Sequence, residues 1–155
     1  TAVSSDDRYL LVGNYLPNNL VLLDAGDLSL IKIIPAVDSK GKGSRVAAVY
    51  DAAPRSSFIA SMKDIPEIWE ISYDDDPPSS FYGWQHDYRY EFPTQKIDPF
   101  PIRRIKLDRI LDDFLFDQDY ISLIGASREG GGGVVNLDAS RVIADLELSG
   151  MPHLS

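Results

Sequence analysis

The chain has 155 residues, a formal net charge of −9 and an isoelectric point near 4.5. Such an acidic chain is not expected to bind the phosphates of nucleic acids or an anionic membrane surface. It contains no cysteine, which excludes disulfides, thiolate chemistry and a CxxCH site for covalent heme attachment on this stretch. Hydrophobic residues make up 44% of the chain, but no apolar run approaches the ~18 residues of a transmembrane helix. We therefore expect one soluble, globular domain of ordinary size.

The first third of the chain predicts a small antiparallel sheet. Apolar runs at residues 10–12, 20–23 and 28–34 are separated by turns rich in Asp, Asn, Pro and Gly. Short runs bounded by such turn residues favour strands in hairpins. They are too short for a helical period to be read from them.

The middle third predicts a second sheet that a long segment interrupts. Three further strands are expected at 45–50, 57–62 and 68–73. Residues 74–101 break the pattern with an Asp-Asp-Asp-Pro-Pro stretch, several aromatic residues and three more prolines, so we predict a long loop inserted in the sheet. Residues 102–107 then close the sheet. Residues 108–114 fit either one helical turn or the lead into the next strand.

The last third repeats the pattern of the first. Val134-Val-Asn-Leu-Asp138 echoes Leu20-Val-Leu-Leu-Asp24, and strand-like runs at 121–124 and 141–148 flank it. A recurring unit of strand, turn and strand is typical of a β-propeller blade, although any antiparallel sheet gives strand-turn-strand.

Blade length indicates that the propeller is incomplete. At about 40–50 residues per blade the chain holds roughly three blades, whereas a closed propeller needs at least four. The predicted fold class is therefore all-β, with antiparallel sheets, and residues 1–155 form a partial propeller domain with a loop insertion at 74–101. Missing blades or neighbouring copies of the chain are expected to cover the open sheet faces and edges.

Five short segments, in chain order, carry a more specific signal. They are Gly13-Asn-Tyr15-Leu-Pro17, Leu23-Asp24, Ser44-Arg-Val-Ala-Ala48, Ser61-Met-Lys-Asp64 and Gly150-Met-Pro-His153. Their order on β-like strands resembles the heme d1 domain of the cytochrome cd1 family, which includes nitrite reductase and its paralogues in heme d1 maturation. The resemblance implies that this chain is part of a larger propeller of roughly eight blades.

The resemblance also implies a heme d1 site formed by Arg45, Tyr15 and His153. Arg45 would hold a carboxylate of the macrocycle with its planar donor fork, and Tyr15 would stack on or hydrogen-bond to the ring. His153 is the candidate catalytic residue and the candidate distal ligand of the heme iron, since a histidine there can ligate the metal or move a proton near neutral pH. The structural alternatives are a salt bridge for Arg45, packing at a blade edge for Tyr15 and a frayed chain end for His153.

Three other features point to structure rather than chemistry. His86 lies in an aromatic loop that would either cover a heme face or leave the histidine at the surface. The four glycines at 130–133 lack the Lys-Ser/Thr of a phosphate loop and predict a hairpin turn. The three aspartates at 74–76 lack the spacing of a calcium loop and predict a solvated acidic turn.

For function, the resemblance implies a periplasmic redox protein of heme d1 maturation that dehydrogenates dihydro-heme d1 for denitrification. The insertion and the Pro99-Phe-Pro-Ile-Arg-Arg104 stretch resemble the maturation paralogue more than the reductase. The first alternative is the d1 domain of a dissimilatory, NO-forming nitrite reductase. The second is a heme-free propeller that serves as a protein-interaction scaffold.

The resemblance also implies cofactors and partners beyond this segment. Heme d1 or dihydro-heme d1 would bind here, and electrons would leave through a c-type heme elsewhere in the parent chain. Nitrite reductase or a small electron-transfer protein is the expected protein partner, and neither nucleic acid nor a membrane is expected. The intact parent would be an oxidoreductase, with this segment inactive on its own. Because the chain begins Thr1-Ala2 without methionine, we expect a targeting segment upstream.

Overall fold

Twelve β-strands make up nearly all regular structure in residues 1–82 and 99–150, the part of the chain that the computed structural model describes. The first sheet consists of β1 (Ala2–Val3), β2 (Tyr9–Gly13), β3 (Asn19–Asp24) and β4 (Leu30–Pro35). The second consists of β5 (Val46–Ala52), β6 (Ser57–Met62), β7 (Glu67–Ser72) and β8 (Ile102–Lys106). The third consists of β9 (Asp113–Phe116), β10 (Ser122–Ala126), β11 (Gly132–Asn136) and β12 (Arg141–Leu146).

Each sheet is an antiparallel meander in which sequence neighbours pair, and we call each sheet a blade. In the first blade, Leu11 of β2 pairs with Leu22 of β3, and both side chains are fully buried. The residues on either side of them along each strand are only partly buried. This alternation places one face of the sheet in the core, because successive side chains of a strand point to opposite faces.

The second blade lies between the other two, and its burial pattern reflects this. Every residue of β6 and β7 is buried, whereas the outer strands β4 and β12 are mostly exposed. Phe58 belongs to a hydrophobic cluster shared with the first blade, and the next residue, Ile59, belongs to one shared with the third. Two cores therefore cover the two faces of one sheet, and the side chains on both faces of β6 and β7 are buried as a result.

The first strands of the blades lie side by side, β1 next to β5 and β5 next to β9. This radial stacking of four-stranded meanders around their first strands is the arrangement of propeller blades. It confirms the predicted all-β, antiparallel fold of about three blades.

The predicted strands are confirmed with shifts of a few residues at their ends, and two predictions are refined. Residues 108–112 form no helix, so the second interpretation of this stretch, a lead into β9, is correct. The fourth strand starts at Leu30 rather than at Leu28, because Leu28 has a φ of +61° and its N–H closes a turn onto the carbonyl of Asp24. Strand β1 was not predicted, because two residues are too short to carry an alternating pattern.

The segment between β7 and β8 leaves the sheet after Ser72 and rejoins it at Ile102. Of this predicted insertion, residues 83–98 lie outside the described part of the chain, and His86 is among them. The insertion therefore stays a prediction. The helical segments in the described part are single turns at Ala53–Arg55 and Ser79–Tyr82, and neither could cross a membrane.

Candidate functional site

One end of the three blades gathers the connections that carry the segments singled out in the sequence. Here β5 and β9 begin, and here the hairpins β2–β3, β6–β7 and β10–β11 turn. We call this the site end and the other the opposite end. At the site end, hydrogen bonds link neighbouring blades; for example, the Val46 N–H donates to the carbonyl of Asn14 at 3.2 Å.

The fold brings three of the five segments fully to the site end. These are the ones that contain Tyr15, Arg45 and Asp64. Leu23-Asp24, the second segment in chain order, lies at the opposite end, where the Asp24 carboxylate accepts the N–H of Gly26 at 2.7 Å and shapes a turn. The fifth follows β12, and the described chain ends at its first residue, Gly150.

Gly13 sits where the first blade meets the start of β5. A Cβ on this glycine would lie 2.5 Å from Cγ1 of Val46, closer than carbon atoms can approach. Only glycine lets the two backbones come this near without a shift, so it brings the Tyr15 loop against the Arg45 segment.

Arg45 and Asp64 form a three-point clamp at the site end. The Asp64 carboxylate accepts the Arg45 backbone N–H at 2.8 Å, its Nε–H at 3.0 Å and its Nη2–H at 2.7 Å. The hydrogen bonds from the Arg45 side chain lower the pKa of Asp64 to about 2, and they raise the pKa of Arg45. Both groups therefore stay charged at every physiological pH.

Tyr15 contacts the same guanidinium. The Cζ atom of Arg45 lies 5.4 Å from the centre of the Tyr15 ring, which is within the range of a cation–π contact. The Tyr15 side chain is about half exposed, as is that of Arg45, and Nη1 of Arg45 has no hydrogen-bond partner among the described residues. The clamp thus presents a fixed, accessible pair of N–H donors to solvent.

A second ion pair joins the site end of the second blade to the third. Nζ of Lys63 lies 3.2 Å from Oδ1 of Asp112, and the two side chains are only 14% and 9% exposed. The other oxygen of Asp112 accepts the backbone N–H of Arg128 at 2.8 Å. This largely buried pair fixes the loop before β9 against the turn that carries Asp64.

An open groove of about 1010 Å³ runs along the site end between the second and third blades. Its basic side chains are Lys42, Arg45, Lys63, Arg109 and Arg128. Asp64, Asp108, Asp112 and Glu129 also line it. Within residues 1–82 and 99–150, no cluster of His, Asp and Glu is suited to hold a metal ion. Five basic side chains against four acidic ones make the lining of the groove slightly basic.

Of the predicted site residues, Arg45 and Tyr15 are brought together, while His153 and His86 lie outside the described residues. Arg45 does form a salt bridge, as the structural alternative anticipated, but it keeps free donors. A ligand-binding role for all three site residues stays a prediction. Sequence reasoning missed the roles of Asp64, Lys63 and Asp112. Lys63 and Asp64 lie in the Ser61–Asp64 segment that the sequence singled out, but nothing in the sequence indicated which residue each of them pairs with.

Comparison with known proteins fits this geometry. Residues 1–92 match the family described as the cytochrome D1 heme domain. The chain is 47% identical to the dihydro-heme d1 dehydrogenase of Pseudomonas aeruginosa over 154 residues, which is 99% of this chain and 27% of that protein. The chain therefore spans about a quarter of that relative's length.

Two of the similar solved structures illustrate the family and the fold. That of the dihydro-heme d1 dehydrogenase NirN in complex with DHE superimposes with a TM-score of 0.79 at 46% identity, over 99% of this chain and 28% of that one. The β-propeller domain of Cps50 (Swd1) from Myceliophteria thermophila gives a TM-score of 0.60 at 12% identity, over 96% of this chain and 41% of that one. The second likeness concerns the fold alone and supports the propeller assignment. Together with the match over residues 1–92, these comparisons show that the chain belongs to the cytochrome D1 heme domain family.

Proposed function

We propose that this chain is the part of a heme d1-binding propeller that helps to hold dihydro-heme d1 while the whole protein dehydrogenates it to heme d1. The observation that carries the proposal is the 47% identity with a dihydro-heme d1 dehydrogenase along 99% of the chain. The clamp and the groove at the site end supply the physical support.

The residues at the site end fit a tetrapyrrole that bears several carboxylates. Arg45 offers N–H donors in a geometry that matches a carboxylate, and its charge is fixed by Asp64. Tyr15 offers an accessible aromatic face next to it. The groove between the blades adds basic side chains at its rim, among them Lys42 and Arg128, neither of which forms an ion pair among the described residues.

In this proposal Arg45 and Tyr15 bind and orient the substrate, and His153 accepts a proton. A dehydrogenation converts a carbon–carbon single bond into a double bond and removes two protons and two electrons. A histidine is suited to take a proton because its ordinary pKa lies near neutral pH. The Pro-His segment with His153 follows β12, and the carbonyl of Leu148 just before it accepts the N–H of Gly131 at the site end, at 3.0 Å.

The electrons would leave through a c-type heme elsewhere in the parent chain, because this segment has no cysteine to attach one. Nitrite reductase or a small electron-transfer protein would be the redox or delivery partner. We place the protein in the periplasm, in denitrification. Missing propeller blades would cover the open faces of the first and third blades.

A visible absorption titration of the full-length protein with heme d1 and with dihydro-heme d1 tests the proposal. We expect both compounds to shift their bands on binding, and the dihydro compound to convert slowly when an electron acceptor is supplied. His153→Ala should abolish conversion, whereas His86→Ala serves as the matched control and should retain it.

Other outcomes separate the alternatives. Binding of heme d1 with nitrite reduction but without conversion of the dihydro compound would favour a nitrite reductase. If neither compound shifts its bands, the propeller is a heme-free scaffold and the proposal is wrong.

A further inference from the structure

Asp64 accepts more hydrogen bonds from Arg45 than an exposed ion pair requires. Its side chain is 29% exposed and that of Arg45 is 43% exposed, and a pair in such a position contributes little to folding. Yet Asp64 accepts three hydrogen bonds from Arg45, one of them from the backbone. The arrangement does more to fix one guanidinium than to stabilise the fold.

The carboxylate is itself held in place. The backbone N–H of Asp64 donates to Oγ of Ser44 at 3.0 Å, and the N–H of Lys63 donates to the carbonyl of Arg45 at 2.8 Å. The turn that carries Asp64 and the segment that carries Arg45 are therefore locked together through backbone groups. Neither chain segment has to move for the clamp to form.

The clamp also determines which donors of Arg45 remain available. Asp64 takes up Nε and one side of Nη2, and the Tyr15 ring lies against the guanidinium. Nη1 is left without a partner among the described residues, in a side chain that is 43% exposed. An arginine fixed in this way loses little rotamer entropy when a carboxylate binds, and that raises affinity.

We propose that Asp64 is a positioning residue, which orients Arg45 so that its outer donors bind a carboxylate of the tetrapyrrole. The inference rests on the proposed function, since it needs an anionic ligand at the site end. The competing role for Asp64 is that of a counter-ion that occupies Arg45 until a ligand displaces it. The two roles predict opposite signs. Removing the charge of a positioning residue weakens binding, whereas removing a competing counter-ion strengthens it.

The chain offers a matched control in the pair of Arg8 and Asp6. Nε of Arg8 lies 2.7 Å from Asp6, the same distance as Nη2 of Arg45 from Asp64. The exposures also match, at 44% and 35% for Arg8 and Asp6 against 43% and 29% for Arg45 and Asp64. The control pair lies at the opposite end, in the connection between β1 and β2. Asp6→Asn therefore reproduces the loss of an exposed ion pair without touching the site.

The experiment is a visible absorption titration of the full-length protein with heme d1 and dihydro-heme d1, for wild type, Asp64→Asn and Asp6→Asn. We expect Asp64→Asn to raise the dissociation constant about ten-fold, equivalent to about 1.4 kcal/mol. Asp6→Asn should leave it unchanged. Asp64→Glu should restore part of the affinity, because it returns the carboxylate with a longer reach.

A double-mutant cycle separates positioning from a general structural effect. If Asp64 acts through Arg45, then Arg45→Ala and the double variant Arg45→Ala/Asp64→Asn bind equally weakly. Thermal unfolding of each variant checks that the propeller is intact, and the small losses of the two Asp→Asn variants should match.

Three results would overturn the inference. Unchanged or tighter binding by Asp64→Asn, with normal binding by wild type, would remove the positioning role and leave the proposed function standing. Additive losses in the cycle would do the same. A wild-type protein that shifts the bands of neither compound would overturn both.

Discussion

The two ends of the blades differ in charge although they belong to the same strands. Connections at the site end carry as many basic residues as acidic ones: Lys40, Lys42, Arg45, Lys63, Arg109 and Arg128 against Asp38, Asp64, Asp108, Asp112, Glu129 and Glu147. Described connections at the opposite end carry Arg8 and Arg55 against Asp6, Asp7, Asp27, Asp74, Asp75, Asp76, Asp117, Asp119 and Asp138. Among the described connections, the excess of acidic residues thus lies at the opposite end. At the site end, such an excess would repel an anionic ligand.

The ends also use their ion pairs differently. Towards the opposite end, Glu70 is 1% exposed and binds Arg55 at 2.9 Å and Arg103 at 2.6 Å. Both arginines also donate hydrogen bonds to the third blade, Arg55 to the carboxylate of Asp138 and Arg103 to the carbonyl of Leu137. This network is buried and holds two blades together. The Arg45–Asp64 clamp is exposed and lies at the site, so the comparison separates charges that serve the fold from charges available to a ligand.

The largest expected effect comes from breaking the buried network. Glu70→Ala leaves two arginines with little exposure and no carboxylate between them, which should lower the free energy of unfolding by about 3–5 kcal/mol. Urea unfolding of the full-length protein followed by circular dichroism measures this loss. Asp119→Ala, at an exposed position of the opposite end, is the control and should change stability little. A loss below about 1 kcal/mol for Glu70→Ala would contradict a fold-holding network.

The site end has a largely buried ion pair, Lys63 and Asp112, which tests whether burial determines how much such a pair stabilises the fold. Asp112→Ala removes the partner of Lys63 and the acceptor of the Arg128 N–H, and we expect a loss of about 1.5–3 kcal/mol. Asp138→Ala removes a shorter pair with Arg55, at 2.8 Å against 3.2 Å, but the Asp138 side chain is 62% exposed, so its loss should stay within about 1 kcal/mol. Equal losses in urea unfolding would show that burial does not determine the strength of these pairs.

The close approach of the first and second blades gives a third test. Gly13→Ala would place a Cβ against Val46, and the overpacking should cost about 1–3 kcal/mol and weaken binding at the site end. Gly150→Ala adds the same methyl group where no atom of the described residues lies within 4 Å, and it should leave the free energy of unfolding unchanged. Thermal unfolding and the heme titration of both variants measure the effect. A stable Gly13→Ala variant with normal binding would mean that the loop tolerates a shift.

The smallest expected effect is a pH dependence of stability caused by Tyr73, which directly follows β7 of the second blade. Burial raises the pKa of Tyr73 to about 12, and the hydrogen bond that its hydroxyl donates to Asp51 at 2.7 Å adds to this. Because the folded pKa lies above the ordinary 10.0, this stabilisation is complete below pH 10 and is lost as the pH rises towards 12. Tyr73→Phe should therefore lower stability by about 1 kcal/mol at neutral pH and reduce its fall at alkaline pH. Urea midpoints across that range check this, and an unchanged alkaline fall would contradict it.

Local sequence predicted most of the strands, because each is a short apolar run with turn residues at both ends. It did not predict β1, which is a strand only through the pairing of Ala2 and Val3 with Leu11 and Leu10 of β2. It identified Arg45 and Tyr15 only by resemblance. Local sequence did not predict that Asp64 pairs with Arg45 or that Asp112 pairs with Lys63, because these partners lie 19 and 49 residues apart along the chain. One carboxylate among 24 acidic residues carries no local mark of its partner.

By itself, the sequence determined the all-β class, the repeat of about three blades and the membership of a heme d1 family, because alternation, turn chemistry and short motifs are local properties. Only the tertiary structure decided that Gly13, Tyr15, Arg45 and Asp64 meet at one end of the blades and that the surplus carboxylates lie at the other. Strand direction and blade stacking determine which loops share an end, and both depend on contacts between residues far apart in the chain.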